Sequence, residues 1–262
     1  VIIISIIRLI GRRVIRYFNE IGAISILFYR ILSCTKYIIK DRKVILEQMV
    51  KIGINSLPLI TVVSIFTGAV SSWQAAYQFK GVISSEMTLD LLGAAVSAAI
   101  LIELAPVLSG IVVAGRVGAS IAAELGTMQV TEQIDALEAL AIDPVRYLAF
   151  PRFTAGWTML PVLVVYAGLV SHIGAYVVAY FLLSISTDRF FGSIQSHFIV
   201  YNIFSGLIKA LVFGGGTALI GCSIGFRTSG GAEGVGRATI KAFVFSAAFI
   251  LIADYFLAMM LF

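Results

Sequence analysis

Apolar residues gather in five long runs, at residues 54–79, 88 to about 113, 154–184, 199–224 and 240–262. A helix needs about 20 predominantly apolar residues to cross the hydrocarbon core of a bilayer. All five runs meet that length, and the third is long enough to tilt. The pattern predicts an all-α membrane protein with five transmembrane helices. Ahead of them the periodicity changes. Arg8, Arg12 and Arg16 recur every four residues, while Ile7, Leu9, Ile10, Val14 and Phe18 fill the rest of the turn over residues 5–20. That is an amphipathic helix lying in the membrane interface. Residues 21–40 form a second interfacial segment or a short membrane dip; Arg30 interrupts their apolar run and favours the interface. The chain thus divides into N-terminal interfacial or elbow helices, 1–53, and a five-span membrane domain, 54–262.

Composition agrees. Hydrophobic residues make up 60% of the 262 residues, charged residues 13%, and the mean hydropathy is +1.01. A soluble domain carries about 25% charged residues, so lipid must solvate much of this surface. The positive charges are unevenly spread. Ten of the 19 Lys and Arg residues precede Gly53, three lie within 116–153 and three within 226–241; the alternate loops hold only Lys80 and Arg189. Basic loops stay inside, which places the N-terminus in the cytoplasm and the C-terminus outside. Basic residues interleaved with Ile, Leu and Phe suit a membrane surface and not nucleic acid. Cys34 and Cys222, and His172 and His197, are too few and too far apart for a disulfide framework or a metal site. The apolar start lacks a cleavage motif, so no cleavable signal peptide is expected.

Residues 131–144, Thr-Glu-Gln-Ile-Asp-Ala-Leu-Glu-Ala-Leu-Ala-Ile-Asp-Pro, read as a short amphipathic helix between the second and third spans. Thr131 is expected to cap it, Glu132 and Asp135 favour the positive end of its dipole, and Pro144 with Asp143 stops it. Ile134, Leu137 and Ala141 form its apolar stripe. Such a helix docks into a groove on a cytoplasmic protein, or simply lies at the interface. The second span is rich in small residues from Gly93 to Ala99, and Gly110, Gly115 and Gly118 continue the pattern, which allows close helix approach. Ordinary packing, a dimer seam or a substrate wall would each use it.

Five segments in order, Glu103-Leu-Ala-Pro-Val107, Ala114-Gly-Arg-Val-Gly-Ala119, Glu132-Gln-Ile-Asp-Ala-Leu-Glu138 with Ile142-Asp-Pro144, Pro151-Arg152, and Gly234-Val-Gly-Arg-Ala-Thr239, resemble the MlaE family of ABC-transporter permeases across residues 45–262. The resemblance implies a five-span lipid-transport permease that works as a homodimer beneath an MCE-domain protein. The partners it implies are a cytoplasmic ABC ATPase, membrane lipids and, in some assemblies, a small regulatory subunit. It implies a bacterial inner membrane or, alternatively, a plastid inner envelope. It also implies that 131–144 is the coupling helix, with Glu132, Ile134, Asp135, Leu137, Glu138, Asp143 and Pro144 meeting the ATPase. Ile65, Ala69, Trp73 and Tyr77, with Glu103 nearby, would then line a lipid cavity; from pattern alone Trp73 and Tyr77 read as an aromatic belt. One departure stands out: Ile102 occupies a position where the family often has arginine, and Ala105 replaces a glycine. No role of that arginine carries over.

Glu103, Lys209 and Asp254 are ionisable residues inside spans, each costing about 2.5–3.5 kcal/mol at a helix centre. They should face the bundle interior or water. Lys209 can pair with Asp254 or with Glu103. No phosphate-binding loop of the Gly-x-x-x-x-Gly-Lys-Ser/Thr type occurs, so ATP hydrolysis is expected in a separate subunit, and no catalytic residue, cofactor or metal ligand is expected here. Two other readings remain open. One is an ion-coupled secondary transporter using the three intramembrane charges; the other is a membrane scaffold that recruits a cytoplasmic partner.

Overall fold

The computed structural model describes residues 20, 22–79 and 85–262, with 85–90 described by backbone alone. The expected amphipathic helix over 5–20 lies almost wholly outside the described residues. Among them every regular element is helical, and five helices are long and apolar enough to cross a membrane. This is a multi-pass all-α membrane protein.

Helix α1 covers 22–33. A short turn at Thr35–Tyr37 leads to α2, Arg42–Ile52, and a second turn at Ile54–Ser56 leads to the first span, α3, Leu57–Phe79. The second span is one long helical path in three α-helical parts: α4, Ser85–Ala99; α5, Ala105–Val113; and α6, Ala119–Val130. It runs past 113 to Val130, well beyond its apolar run, because Ile121, Ala122 and Leu125 are buried against the bundle and hold the last turns in place. Two wider π-type turns, Ile100–Leu104 and Ala114–Gly118, join the parts. Pro106 explains the first. It has no N–H to offer the carbonyl four residues back, and the backbone relaxes by widening. A third wide turn, Val145–Ala149, precedes Pro151 in the same way and opens α8, Phe150–Phe181.

After α8 come the short α9, Thr187–Ser196, then α10, Val200–Gly225, and α11, Gly231–Leu261. The spans meet where small residues let backbones touch. A methyl group at Gly68 would strike the Ser171 carbonyl, and one at Gly174 would strike the Ile65 carbonyl, so α3 and α8 cross there. Gly156 and Gly214 do the same for α8 and α10. Within the second span Gly93 lets α9 approach, and Ser97 meets His172 on α8. His172 Nδ1 donates to the Gly168 carbonyl at 2.7 Å, and Nε2 lies 2.8 Å from the Ser97 hydroxyl. This histidine fastens two spans.

The segments expected on the cytoplasmic side do share one end of the bundle. Arg30 pairs with Asp143, Lys51 with Glu124, and Glu20 with Lys241. At the opposite end Tyr201 donates to the Leu261 carbonyl and Tyr176 meets Thr187.

Candidate functional site

Three helices bring Glu103, Lys209 and Asp254 together. Glu103 sits in the wide turn before Pro106. Gly206 lets α10 press against that turn, since a side chain there would collide with the Leu101 carbonyl. Lys209 lies three residues further along α10, on the same face. Its ammonium is 2.6 Å from Glu103 Oε1 and 2.8 Å from Asp254 Oδ1 of α11. The contact with Glu103 is a hydrogen bond, whereas the Asp254 oxygen is off the bonding angle and holds the charge by proximity. The sequence left two pairings open, and the structure uses both.

Exposure grades across the triad. The Lys209 side chain is 0% exposed, Asp254 20% and Glu103 41%. A buried cation is therefore reached from outside through a half-exposed carboxylate. With both acids ionised the cluster carries one net negative charge. Lys209 lies 16 residues before the end of α10 at Gly225, which is about 24 Å of helix. The triad thus sits deep in the apolar length of the bundle, away from the basic end.

On α3, Ile65, Ala69, Trp73 and Tyr77 share one face, as their spacing requires. Ile65, Trp73 and Tyr77 are exposed and Ala69 is half-buried. The neighbouring stripe, Ile60, Ser64, Gly68, Ser72 and Ala76, is buried. The same helix also exposes Val62, Phe66 and Val70, giving one broad apolar surface. Such a surface suits lipid tails or a second apolar face.

The short helix between the second and third spans is α7, Gln133–Ala139, shorter than the expected 131–144. Thr131 does not cap it; its hydroxyl bonds back to the Thr127 carbonyl, and Glu132 stands at the start in a left-handed conformation. The end differs too. Ala141 is left-handed, its N–H bonds the Glu138 carbonyl, and the Ile142 N–H bonds the Leu137 carbonyl. These two bonds form a Schellman ending three residues before Pro144. Asp143 and Pro144 instead open the next helix, with Asp143 Oδ1 accepting from the Val145 N–H at 3.0 Å.

The expected stripe splits. Ile134 is buried and Leu137 half-buried against the rest of the chain, while Ala141 is exposed. Facing outward are Glu132, Asp135, Glu138, Ile142 and Leu140, which is 71% exposed. Leu140 and Ile142 were missed in the sequence. The available signal was an apolar pair lying off the stripe of a short acidic helix. Asp143 is also exposed, but it is engaged within the chain, 2.9 Å from Arg30 of α1.

Two further straps were invisible in the sequence. Arg146 makes a two-pronged bond to Asp41 at 3.0 and 3.1 Å and lies 3.9 Å over the Tyr37 ring. Glu124 on α6 holds Arg152 at 3.0 Å and Lys51 at 3.7 Å, and Arg116 donates to Ser56 at 2.6 Å. α2 and the turns on either side of it are thereby tied to α6, to the start of α8 and to the segment after α7.

Comparison with known proteins gives this arrangement a place. The sequence profile described as Permease MlaE matches residues 45–260. A probable ABC transporter permease protein of Rickettsia felis is 36% identical over 260 residues, covering 99% of both chains. One from Synechocystis sp. is 41% identical over 222 residues, covering 85% of this chain and 83% of its own. The chloroplastic protein Trigalactosyldiacylglycerol 1 of Arabidopsis thaliana is 37% identical over 213 residues, covering 81% of this chain and 60% of its own. The match runs through the wide turn that carries Glu103, through α7 and through α11. The chain belongs to the MlaE permease family.

Proposed function

We propose that this chain is the membrane subunit of an ATP-driven transporter that moves phospholipid, or a related lipid, between its membrane and an MCE-domain partner on the outer side. The basic end of the bundle is then cytoplasmic and the membrane is the bacterial inner membrane. Two copies face each other, and an ATPase binds each α7.

The observation that carries the reading is the construction of α7. It projects from the basic end with Asp135, Glu138 and Leu140 exposed, while Ile134 anchors it from behind. Its far side is strapped through Asp143 to α1 and through Arg146 to the turn before α2. A force on α7 therefore reaches the start of α8 and the elbow helices together. The broad apolar face of α3 supports a lipid cargo, because each buried methylene contributes about 0.8 kcal/mol. Ile65, Ala69, Trp73 and Tyr77 are the proposed wall. Glu103, the exposed member of the triad, is the proposed polar contact for a headgroup.

The test is ATP-dependent lipid movement in proteoliposomes containing the chain with its co-purified partners. Fluorescent phospholipid should move only with hydrolysable ATP. The triad on its own supports a second reading, ion-coupled transport. In that case lipid or solute would move without ATP, driven by a proton gradient, and E103Q would abolish the gradient dependence.

A further inference from the structure

At the basic end, between α1, the end of α10 and the start of α11, lies a cavity of about 700 Å³ that the transport reading does not use. Its charged wall carries Arg227, Arg237 and Lys241, against a single carboxylate, Glu20. Arg237 is occupied by Glu233 at 2.6 Å, and Lys241 by Glu20 at 2.7 Å. Among the described residues no carboxylate pairs with Arg227. Ile224 and Phe245 add an apolar stretch to the lining beside these cations, and the Lys241 ammonium lies 5.3 Å from the Phe245 ring centre.

We propose that this cavity holds the headgroup of an anionic phospholipid from the adjoining leaflet. A free phosphate would use the cations but leave the apolar stretch wet. A zwitterionic lipid would use the apolar stretch but gain less from the excess positive charge. An anionic amphiphile satisfies both, with its phosphate on Arg227 and Lys241 and the first part of its chains against Ile224 and Phe245. Basic pockets between spans on the cytoplasmic side are suited to such headgroups. Glu20 is then a built-in competitor: the incoming phosphate displaces it from Lys241. The site needs only a chain embedded in a membrane, so it stands or falls separately from the cargo and the ATPase.

The experiment is native mass spectrometry of the purified protein, with whatever subunits it retains. It is titrated in neutral detergent with phosphatidylglycerol, with phosphatidylcholine and with inorganic phosphate. Phosphatidylglycerol should bind at least tenfold more tightly than phosphatidylcholine. R227Q with K241Q should remove that preference and leave phosphatidylcholine binding unchanged. E20Q should tighten phosphatidylglycerol binding, an effect that a purely structural Glu20–Lys241 pair would not give. Equal binding of the two lipids, a preference that survives R227Q/K241Q, or inorganic phosphate binding as tightly as the lipid would each overturn the proposal.

Discussion

Two three-residue ion clusters hold different parts of this bundle, and they are mirror images in charge. Deep in the apolar length, Lys209 stands between Glu103 and Asp254. Near the basic end, Glu124 stands between Lys51 and Arg152. The contacts are 2.6 and 2.8 Å in the first cluster and 3.0 and 3.7 Å in the second. The central residue is fully buried in the first, whereas the Glu124 side chain is 40% exposed. The difference shows what each cluster depends on. Without its centre, the first leaves two carboxylates far from any cation. The second leaves Lys51 to water, and Arg152 keeps its bond to the Leu148 carbonyl.

The comparison breaks most sharply at Lys209. K209M should destabilise the fold by about 3–5 kcal/mol, the cost of removing one partner from a buried pair. The measurement is loss of the monodisperse peak and of the thermal transition in detergent. Neutralising the acids as well, in K209M/E103Q/D254N, should restore most of the stability, because a neutral cluster no longer carries uncompensated charge. Transport by the restored protein should stay low if Glu103 contacts the headgroup.

G206V disturbs the same cluster without touching a charge. The added side chain pushes α10 off the wide turn and draws Lys209 away from Glu103. Overpacking of this kind costs about 1–3 kcal/mol, so its melting shift should fall below that of K209M. G236V is the matched control, since a Cβ added at that glycine meets nothing within 4 Å. E124Q in the second cluster should cost about 1 kcal/mol, as expected for a half-exposed pair. A loss equal to that of K209M would erase the distinction between the two clusters.

These contrasts also show how far the sequence could be read. The five spans were legible because a membrane demands long apolar runs and little else. The membership of the triad was legible because charges inside spans are rare. Its geometry was not, since Gly206 and the wide turn before Pro106 set the distances through backbone contact between different helices. α7 was legible from its acidic and apolar alternation, but its ends were misplaced. Glu132 and Ala141 take left-handed conformations that their side chains do not advertise. The straps Asp41–Arg146 and Arg30–Asp143 join residues more than 100 positions apart, and one sequence carries no record of such pairings.

The smallest expected effect concerns the strap behind α7. Burial, with Asp143 adding to it, pushes the Cys34 thiol above its ordinary range. At neutral pH the group is therefore protonated, and alkylation should be slow, rising only as the pH climbs past that of a free thiol. R30A removes an exposed pair worth at most about 1 kcal/mol and should barely change melting. It removes a cation that lowers the Cys34 pKa and frees Asp143, which raises it, so the thiol should be pushed further up and alkylation in a C222S background should slow, not quicken.

The central claim is that α7 couples this permease to an ATPase. The direct measurement is purification from native membranes in mild detergent, with quantification of the proteins that remain bound. An ABC ATPase should accompany the wild-type chain in stoichiometric amount and be lost from E132K/D135K/E138K, while the variant still inserts in the membrane. A wild-type chain that purifies without an ATPase, or a triple variant that keeps it, would contradict the account.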